Sequence, residues 1–328
     1  MRRTPSRKNL FRALSDRTLR VAVLAGGPGS EREVSLRSGA AAHKALRDAG
    51  FQAELVVIDA ALPDPFPHDA AFLALHGRFG EDGTLQKILE DRGIPYTGSP
   101  SDASHNAFDK ILSKSLFLHA AVPTPGFTTV GKGDDVYGRA AAALEVGLPL
   151  VVKPAREGSS VGISIVRDKA RLPEAFEAAF AHDARALLEE FIPGRELTVG
   201  ILEGRALPII EMRPKREFFD FEAKYVDTGT EYLVNPELPE IVSRSVAQAA
   251  LAAHRALRCE HFSRVDVMYH EKRGPMVLEV NTLPGLTERS LLPKAAAAAG
   301  IGYAALCETM IRMALQRASA GTKAAAKG

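Results

Sequence analysis

Two segments near the carboxyl end place polar groups two residues apart: Arg264 and Asp266 in Ser-Arg-Val-Asp-Val-Met, and Glu279 and Asn281 in Met-Val-Leu-Glu-Val-Asn-Thr. Side chains alternate across a strand, so each pair shares one face while Val265, Val267, Leu278 and Val280 take the other. Asp266, Glu279 and Asn281 offer hard oxygen ligands, which suit Mg²⁺ when it also holds phosphates. Two amphipathic strands with a solvated polar face would have the same periodicity. A second segment, Val-Val-Lys-Pro-Ala-Arg-Glu-Gly-Ser-Ser-Val-Gly at 151–162, runs from an apolar strand through Lys153 into a loop with Gly158, Ser159 and Ser160. Backbone N–H groups of such a loop can wrap phosphate oxygens while a lysine adds charge. It is not a Walker loop, since Gly-Lys-Ser/Thr followed by a helix is missing, and a plain hairpin turn fits the spacing too.

A third segment, Leu-Ala-Gly-Gly-Pro-Gly-Ser-Glu-Arg-Glu-Val-Ser-Leu at 24–36, reads as a strand end followed by a helix start. Ser30 and Glu33 fit a capping box. That leaves Glu31, at the carboxyl end of a strand, as a candidate for holding an ammonium group. Lys110, His76, Glu189, Lys224 and Tyr225 have bland readings on spacing alone: a solvated lysine, a structural histidine, an acidic strand edge and a polar surface stretch.

The elements that must position these groups follow an alternating pattern. Strands are expected at Leu19–Ala25, Ala53–Ile58 and Ala71–Leu75, with helices at Glu31–Ala49 and Gly83–Asp91, as in a parallel sheet covered by helices. In such sheets ligands gather at the carboxyl ends of strands. One helix is expected over Ala103–Ala120, with Phe108, Ile111, Leu112 and Leu116 as its buried stripe and Lys110 on the opposite side. Strands follow at Leu150–Lys153, Gly162–Val166, Ala186–Phe191, Glu196–Leu202, Ala206–Arg213, Phe262–His270 and Pro275–Val280. Helices are expected at Leu172–Ala181, Pro239–Leu257 and the carboxyl end. The polar stretch from Pro214 to Pro236 is longer than a routine connection, so it reads as a functional loop or as disorder.

Composition narrows the class. A chain of 328 residues, 46% hydrophobic and 25% charged, is an ordinary globular composition with room for two or three domains. No run approaches the roughly 20 unbroken apolar residues of a membrane helix. Cys259 and Cys307 have no metal-ligand spacing, which fits a reducing compartment. The net charge of +2 hides an asymmetry: residues 1–20 hold seven Lys or Arg against one Asp, leaving −4 on the rest. A mildly acidic body indicates neither a nucleic-acid nor a membrane partner. The basic leader fits a frayed extension, a misplaced start codon or an organelle transit peptide.

Taken together, these blocks resemble the bacterial D-alanine–D-alanine ligase family from about Arg20 to the closing helices. Those already quoted are joined by Leu-His-Gly-Arg-Phe-Gly-Glu-Asp-Gly-Thr-Leu-Gln, Pro-Tyr-Thr-Gly-Ser, Phe-Asp-Lys, Phe-Glu-Ala-Lys-Tyr and Glu-Val-Asn-Thr-Leu-Pro-Gly-Leu-Thr. The resemblance implies an α/β chain with a three-domain ATP-grasp fold and an N-terminal parallel-sheet domain. Its expected parts are a basic leader without regular structure (1–18), an N-terminal α/β substrate domain (19–104), a central subdomain (105–192), a C-terminal catalytic subdomain (193–318) and a disordered tail (319–328). It implies ATP as a substrate and two Mg²⁺ or Mn²⁺ held by Asp266, Glu279 and Asn281. Lys110, Lys153 and Lys224 would contact nucleotide and phosphates, Glu189 with the chain through Phe191 and Ile192 the adenine, and Glu196 the ribose. Glu31 would take the first D-alanine's ammonium, linked to Ser159 and Tyr225. Arg264, Gly285, Ser290 and Leu291, with His76 nearby, would surround the reacting centre and the second D-alanine's carboxylate. Residues 218–232 would close over the site.

The same resemblance implies a cytoplasmic homodimer that makes D-alanyl-D-alanine for peptidoglycan precursors. A D-alanine–D-lactate ligase is the nearest alternative, disfavoured because that family typically has histidine where Tyr225 stands. Another carboxylate–amine ligase of the same fold and a catalytically inactive nucleotide-binding protein are the others.

Overall fold

A computed structural model describes residues 18–29, 31–213 and 230–325, the last five for backbone only. Lys224, Tyr225 and most of the expected closing loop lie outside the described residues. Three sheets organise the described residues, each with its own connectivity.

The first is parallel throughout. β1 (Arg20–Gly26) is apolar along its length and buried on both faces from Val21 onward, as a central parallel strand must be. It lies between β2 (Gln52–Ile58) and β3 (Ala70–Leu73). α1 (Arg32–Asp48) covers β1 and β2, and α2 (Thr84–Asp91) follows β3. Ser30 of the expected capping box lies outside the described residues. α1 begins at Arg32 with Glu31 in the cap position and no side-chain cap bond. Glu31 is committed instead to a partner far along the chain, described below.

The expected Ala103–Ala120 helix is two helices, α3 (Ser101–Phe108) and α4 (Lys110–His119). Asp109 between them is extended, and its Oδ1 accepts from the N–H groups of Ile111 and Leu112 at 3.0 and 3.1 Å. An aspartate that caps its own following turn breaks a helix that hydrophobic spacing would carry through. The new phase also changes the buried face. Lys110, Ser113, Lys114 and Phe117 are inside, while Phe108, Ile111, Leu112 and Leu116 are only half-buried.

The central sheet is antiparallel, ordered β4-β7-β5-β6, from β4 (Phe127–Gly131), β5 (Leu150–Pro154), β6 (Ser164–Val166) and β7 (Arg185–Glu190). α5 (Val136–Val146) and α6 (Leu172–Phe180) pack on it around Leu150, Val152, Phe176 and Phe180. The third sheet is antiparallel and six-stranded, ordered β11-β10-β8-β12-β13 with β9 beside β8. Its strands are β8 (Arg195–Leu202), β9 (Arg205–Ala206), β10 (Ile210–Arg213), β11 (Glu231–Val234), β12 (Phe262–His270) and β13 (Gly274–Asn281). The single strand expected over Ala206–Arg213 is thus two. α7 (Glu240–Ala256) packs beneath this sheet, α8 (Leu291–Ala298) lies against β8, and α9 (Tyr303–Ala325) packs back on α1 and β3. α9 thereby joins the N-terminal core, and its last turns enter the segment for which no structure was expected. Among the described residues, no helix is long and apolar enough to cross a membrane.

Candidate active site

The strand pair β12/β13 builds the acidic centre. Asp266 pairs with Glu279 and Arg264 with Asn281, which sets the four polar groups on one face. The register then slips, with Val267 opposite Val277, so Leu278 is an extra residue on β13. A bulge of this kind bends the strand and re-aims side chains beside a site. It also corrects one expectation: Val277 is fully buried with Val265, Val267 and Val280, and Leu278 is not.

Each acid in this centre already meets a cation. Arg264 grips Asp266 with two bonds, Nε to Oδ1 at 2.9 Å and Nη2 to Oδ2 at 2.7 Å. Thr198 on β8 donates to the same Oδ1 at 2.7 Å, and Asn281 Nδ2 lies 3.2 Å from Oδ2. Lys110 Nζ stands 3.5 Å from Glu279 and donates to the Glu157 carbonyl at 2.6 Å, while its own N–H bonds the Ala155 carbonyl. Lys110 is therefore buried between the 155–158 loop and β13, not solvated. Among the described residues no three His, Cys, Asp or Glu gather as a metal cage. Two carboxylates and an amide on adjacent strands instead fit Mg²⁺, which takes one or two carboxylates and completes its shell with water and substrate phosphates.

Across this centre sits Glu31, 8% exposed. Its Oε1 accepts a short hydrogen bond from Ser159 Oγ, 128 residues away. Two glycines wall its other oxygen: a Cβ built on Gly77 or on Gly158 would stand 2.9 Å from Oε2. Ser159 and Ser160 both hold left-handed backbone angles, φ 51° and 59°. Consecutive strained residues of this kind persist where the surroundings over-determine them, often at ligand sites.

His76 ends the β3 segment and is spoken for on both sides. Its Nδ1 lies 3.1 Å from the Leu283 carbonyl, which can only accept, so the proton is on Nδ1. Nε2 then accepts from Ser38 Oγ at 3.1 Å. Burial pushes the imidazole below its usual pKa, with Glu31 pulling the other way, and the neutral ring ties α1 to the loop after β13. That loop holds Gly285 and Ser290, where a Cβ on Gly285 would stand 2.9 Å from Ser290 Oγ. Ser290 Oγ also bonds Thr287 Oγ1 at 2.8 Å, and Leu291 opens α8 with its side chain against the core.

A second charge cluster lies between the central sheet and α4. Lys153 on β5 donates to Glu189 Oε2 on β7 at 2.6 Å, and Lys114 forms an ion pair with Oε1. Glu189 is 2% exposed. Burial alone would raise its carboxyl; Lys114 and then Lys153 outweigh that and hold it below the usual range. Phe191, under the Arg167 guanidinium, and buried Ile192 continue from β7 toward β8, where Glu196 is half-buried.

Two residues here escaped the sequence reading. Lys114 is wholly buried, and burial lowers its ammonium to about 8 against the pull of Glu189. Glu81 lines the cavity with Lys110, Glu157, Gly158, Glu279 and Asn281. Burial first, and Glu31 second, push its carboxyl well above the usual carboxylate range. Its position in Phe-Gly-Glu-Asp-Gly, within the block that holds His76, was the available signal.

A parallel α/β unit followed by two antiparallel sheets, with Lys110 from the helix ahead of the central sheet reaching Glu279 of the third, is the arrangement of the ATP-grasp class. Comparison with known proteins narrows it. The family model for the D-ala D-ala ligase C-terminus matches residues 116–312, and the N-terminus model matches 62–99. A D-alanine–D-alanine ligase of Geotalea uraniireducens (strain Rf4) is 45% identical over 306 residues, 92% of this chain and 98% of that protein. The crystal structure of a Bacillus anthracis D-alanine–D-alanine ligase complexed with ATP superposes with a TM-score of 0.81 at 37% identity, covering 93% of this chain and all of that one. The VanG D-Ala:D-Ser ligase of Enterococcus faecalis superposes with 0.78 at 27% identity, covering 90% and 99%. The chain belongs to the D-alanine–D-alanine ligase family.

Proposed function

We propose that this protein joins two D-alanines into D-alanyl-D-alanine at the expense of ATP, through a D-alanyl phosphate, as a cytoplasmic homodimer supplying peptidoglycan precursors. The observation that carries the reading is Glu31, locked by Ser159 beside the Arg264–Asp266 and Lys110–Glu279 pairs. One site then holds an anion for an ammonium group and, next to it, cations and oxygen ligands for phosphates.

A carboxylate is a poor electrophile, so the first D-alanine must be activated before an amine can attack it. Glu31 takes its ammonium, and the two glycines fix the Glu31 carboxylate. A carboxylate oxygen of that D-alanine attacks the γ-phosphorus and ADP leaves. Such in-line transfer needs charge neutralisation and alignment rather than covalent help from the protein. Lys110, Lys153 and, from outside the described residues, Lys224 supply cations, with Glu189, Phe191, Ile192 and Glu196 seating base and ribose. Mg²⁺ held by Asp266, Glu279 and Asn281 would neutralise phosphate charge and orient the transferring group. The second D-alanine's carboxylate lies against Arg264, Ser290 and Leu291. Its amine attacks the acyl carbon, loses a proton and expels phosphate. Arg264 and the Gly285 N–H meet the oxyanion of that step. Tyr225 would complete the hydrogen-bond chain through Ser159 to Glu31.

The test is incubation with ATP, Mg²⁺ and D-alanine, D-serine or D-lactate, followed by mass identification of the product. D-alanyl-D-alanine as the main product supports the reading. A depsipeptide, a D-alanyl-D-serine product or no product at all would replace it with one of the alternatives.

A further inference from the structure

Lys114 has a place in the site that the ligation scheme leaves unused. Its ammonium is 0% exposed and meets three groups: the Glu189 carboxylate, Thr124 Oγ1 at 2.6 Å, and the Phe127 ring, whose centroid is 5.8 Å away. Thr124 passes the contact on, donating to the Val277 carbonyl of β13 at 2.7 Å. Glu189 thus has one lysine on each oxygen, Lys114 on Oε1 and Lys153 on Oε2. Both lysines contact this one buried anion, and Glu279 acts on Lys114 only at longer range, so one cation is surplus at Glu189 itself. The surplus has an explanation if one lysine is to leave.

Lys153 is the one that can leave. It is the last residue but one of β5, next to the 155–162 loop, so a nucleotide phosphate arriving there competes for its ammonium. Lys114 projects from α4 into the core, and its contacts, Glu189, Thr124 and Phe127, all lie outside that loop. If Lys153 turns to phosphate with no replacement, Glu189 is a buried carboxylate without a cation, and such a group takes up a proton rather than stay charged. Its protonation state decides which base it can read. An ionised carboxylate accepts from the 6-amino group of adenine and opposes the 6-oxo group of guanine. A protonated one can donate to the guanine oxygen.

We propose that Lys114 is a positioning residue for nucleotide choice: it keeps Glu189 ionised and aimed at the 6-amino group of adenine while Lys153 serves phosphate. The inference rests on the ligase reading only in taking Glu189 to face the base.

The test measures ATP and GTP binding by calorimetry and ligation kinetics with each nucleotide, for wild type, Lys114→Met and Thr124→Val. Lys114→Met should weaken ATP about tenfold or more, the loss of one charged hydrogen bond. The loss should fall on KM, with kcat within about twofold, since the lysine touches no reacting atom. ATP-over-GTP preference should shrink by a similar factor. Thr124→Val, which keeps the charge but frees the ammonium, should move both quantities the same way by less. It carries the test alone if Lys114→Met does not fold. The double variant Lys114→Met/Glu189→Gln should be no worse than Glu189→Gln, because the lysine acts through that carboxylate. Unchanged ATP affinity and unchanged ATP/GTP preference in a folded Lys114→Met, or in Thr124→Val should Lys114→Met not fold, would overturn the proposal. Wild-type protein that binds ATP but forms no dipeptide would overturn the ligase reading instead, and leave the binding comparison to decide on Lys114.

Discussion

Gly158 offers a perturbation whose effect can be worked from distances. A Cβ there would meet a single side chain, Glu31, at 2.9 Å from Oε2, about 0.5 Å closer than ordinary contact, which begins at 3.4 Å. Gly158 is not among the glycines with positive φ, so alanine adopts its backbone without strain. Glu31 cannot swing aside freely, because Ser159 holds Oε1. The carboxylate must therefore shift by about half an ångström. A misplacement of about 1 Å costs on the order of a hundredfold in rate. Half of that displacement, on a logarithmic scale, is about tenfold, or about 1.4 kcal/mol. Gly158→Ala should lower kcat/KM for the first D-alanine by that factor. Folding stability should stay level or rise by about 0.5 kcal/mol, because alanine restricts the unfolded chain. ADP release against D-alanine concentration, beside a urea titration, measures both. An unchanged kcat/KM would refute Glu31 as the ammonium site, and a collapse of stability would refute the claim that only one side chain is disturbed.

Three further outcomes are expected. Glu279→Gln should abolish ligation while circular dichroism stays native, since one charged oxygen facing Asp266 and Lys110 is lost; near-normal turnover at saturating Mg²⁺ would contradict the metal assignment. Burial lowers His254 to about 4 and His261 to about 3, so the unfolded chain binds protons near the ordinary value of about 6.5 that the native chain refuses. Stability should therefore fall as pH drops, by about 2.7 kcal/mol for the pair between about pH 7.5 and 5.5. Glu81, raised, works in the opposite direction, so the readout is the difference in slope between wild type and His254→Gln/His261→Asn; equal slopes would remove the histidines as its source. Tyr225→His should raise the ratio of D-alanyl-D-lactate to D-alanyl-D-alanine on the acid side of about pH 6–8, where an imidazolium repels an incoming ammonium but not a hydroxyl; a ratio like that of wild type throughout would clear Tyr225 of setting acceptor choice.

Much of the site was legible because it is written in short-range periodicity. The i, i+2 spacing of Arg264/Asp266 and Glu279/Asn281 became one shared face once β12 and β13 paired. The parallel sheet was readable from the continuous apolar run of β1. What was not legible depends on partners far along the chain. Lys110 and Lys114 look like the polar side of an amphipathic helix, yet both are buried by acids 169 and 75 residues further on, Glu279 and Glu189. The break at Asp109 is a local signal, but the apolar spacing across it argued for continuity. The bulge at Leu278 follows no pattern in its strand, because it is set by pairing with β12. Glu31 was singled out for its position; that its carboxylate meets Ser159, 128 residues on, is a tertiary fact.

On the proposed route a carboxylate oxygen of D-alanine attacks the γ-phosphate of ATP before the peptide bond forms. D-alanine labelled with ¹⁸O in both carboxylate oxygens, turned over with ATP and Mg²⁺, tests it directly by mass spectrometry of the released phosphate. That route leaves one ¹⁸O in each phosphate, one ADP per dipeptide, and a dipeptide that has lost one label from its new carbonyl. Unlabelled phosphate alongside dipeptide formation would contradict it.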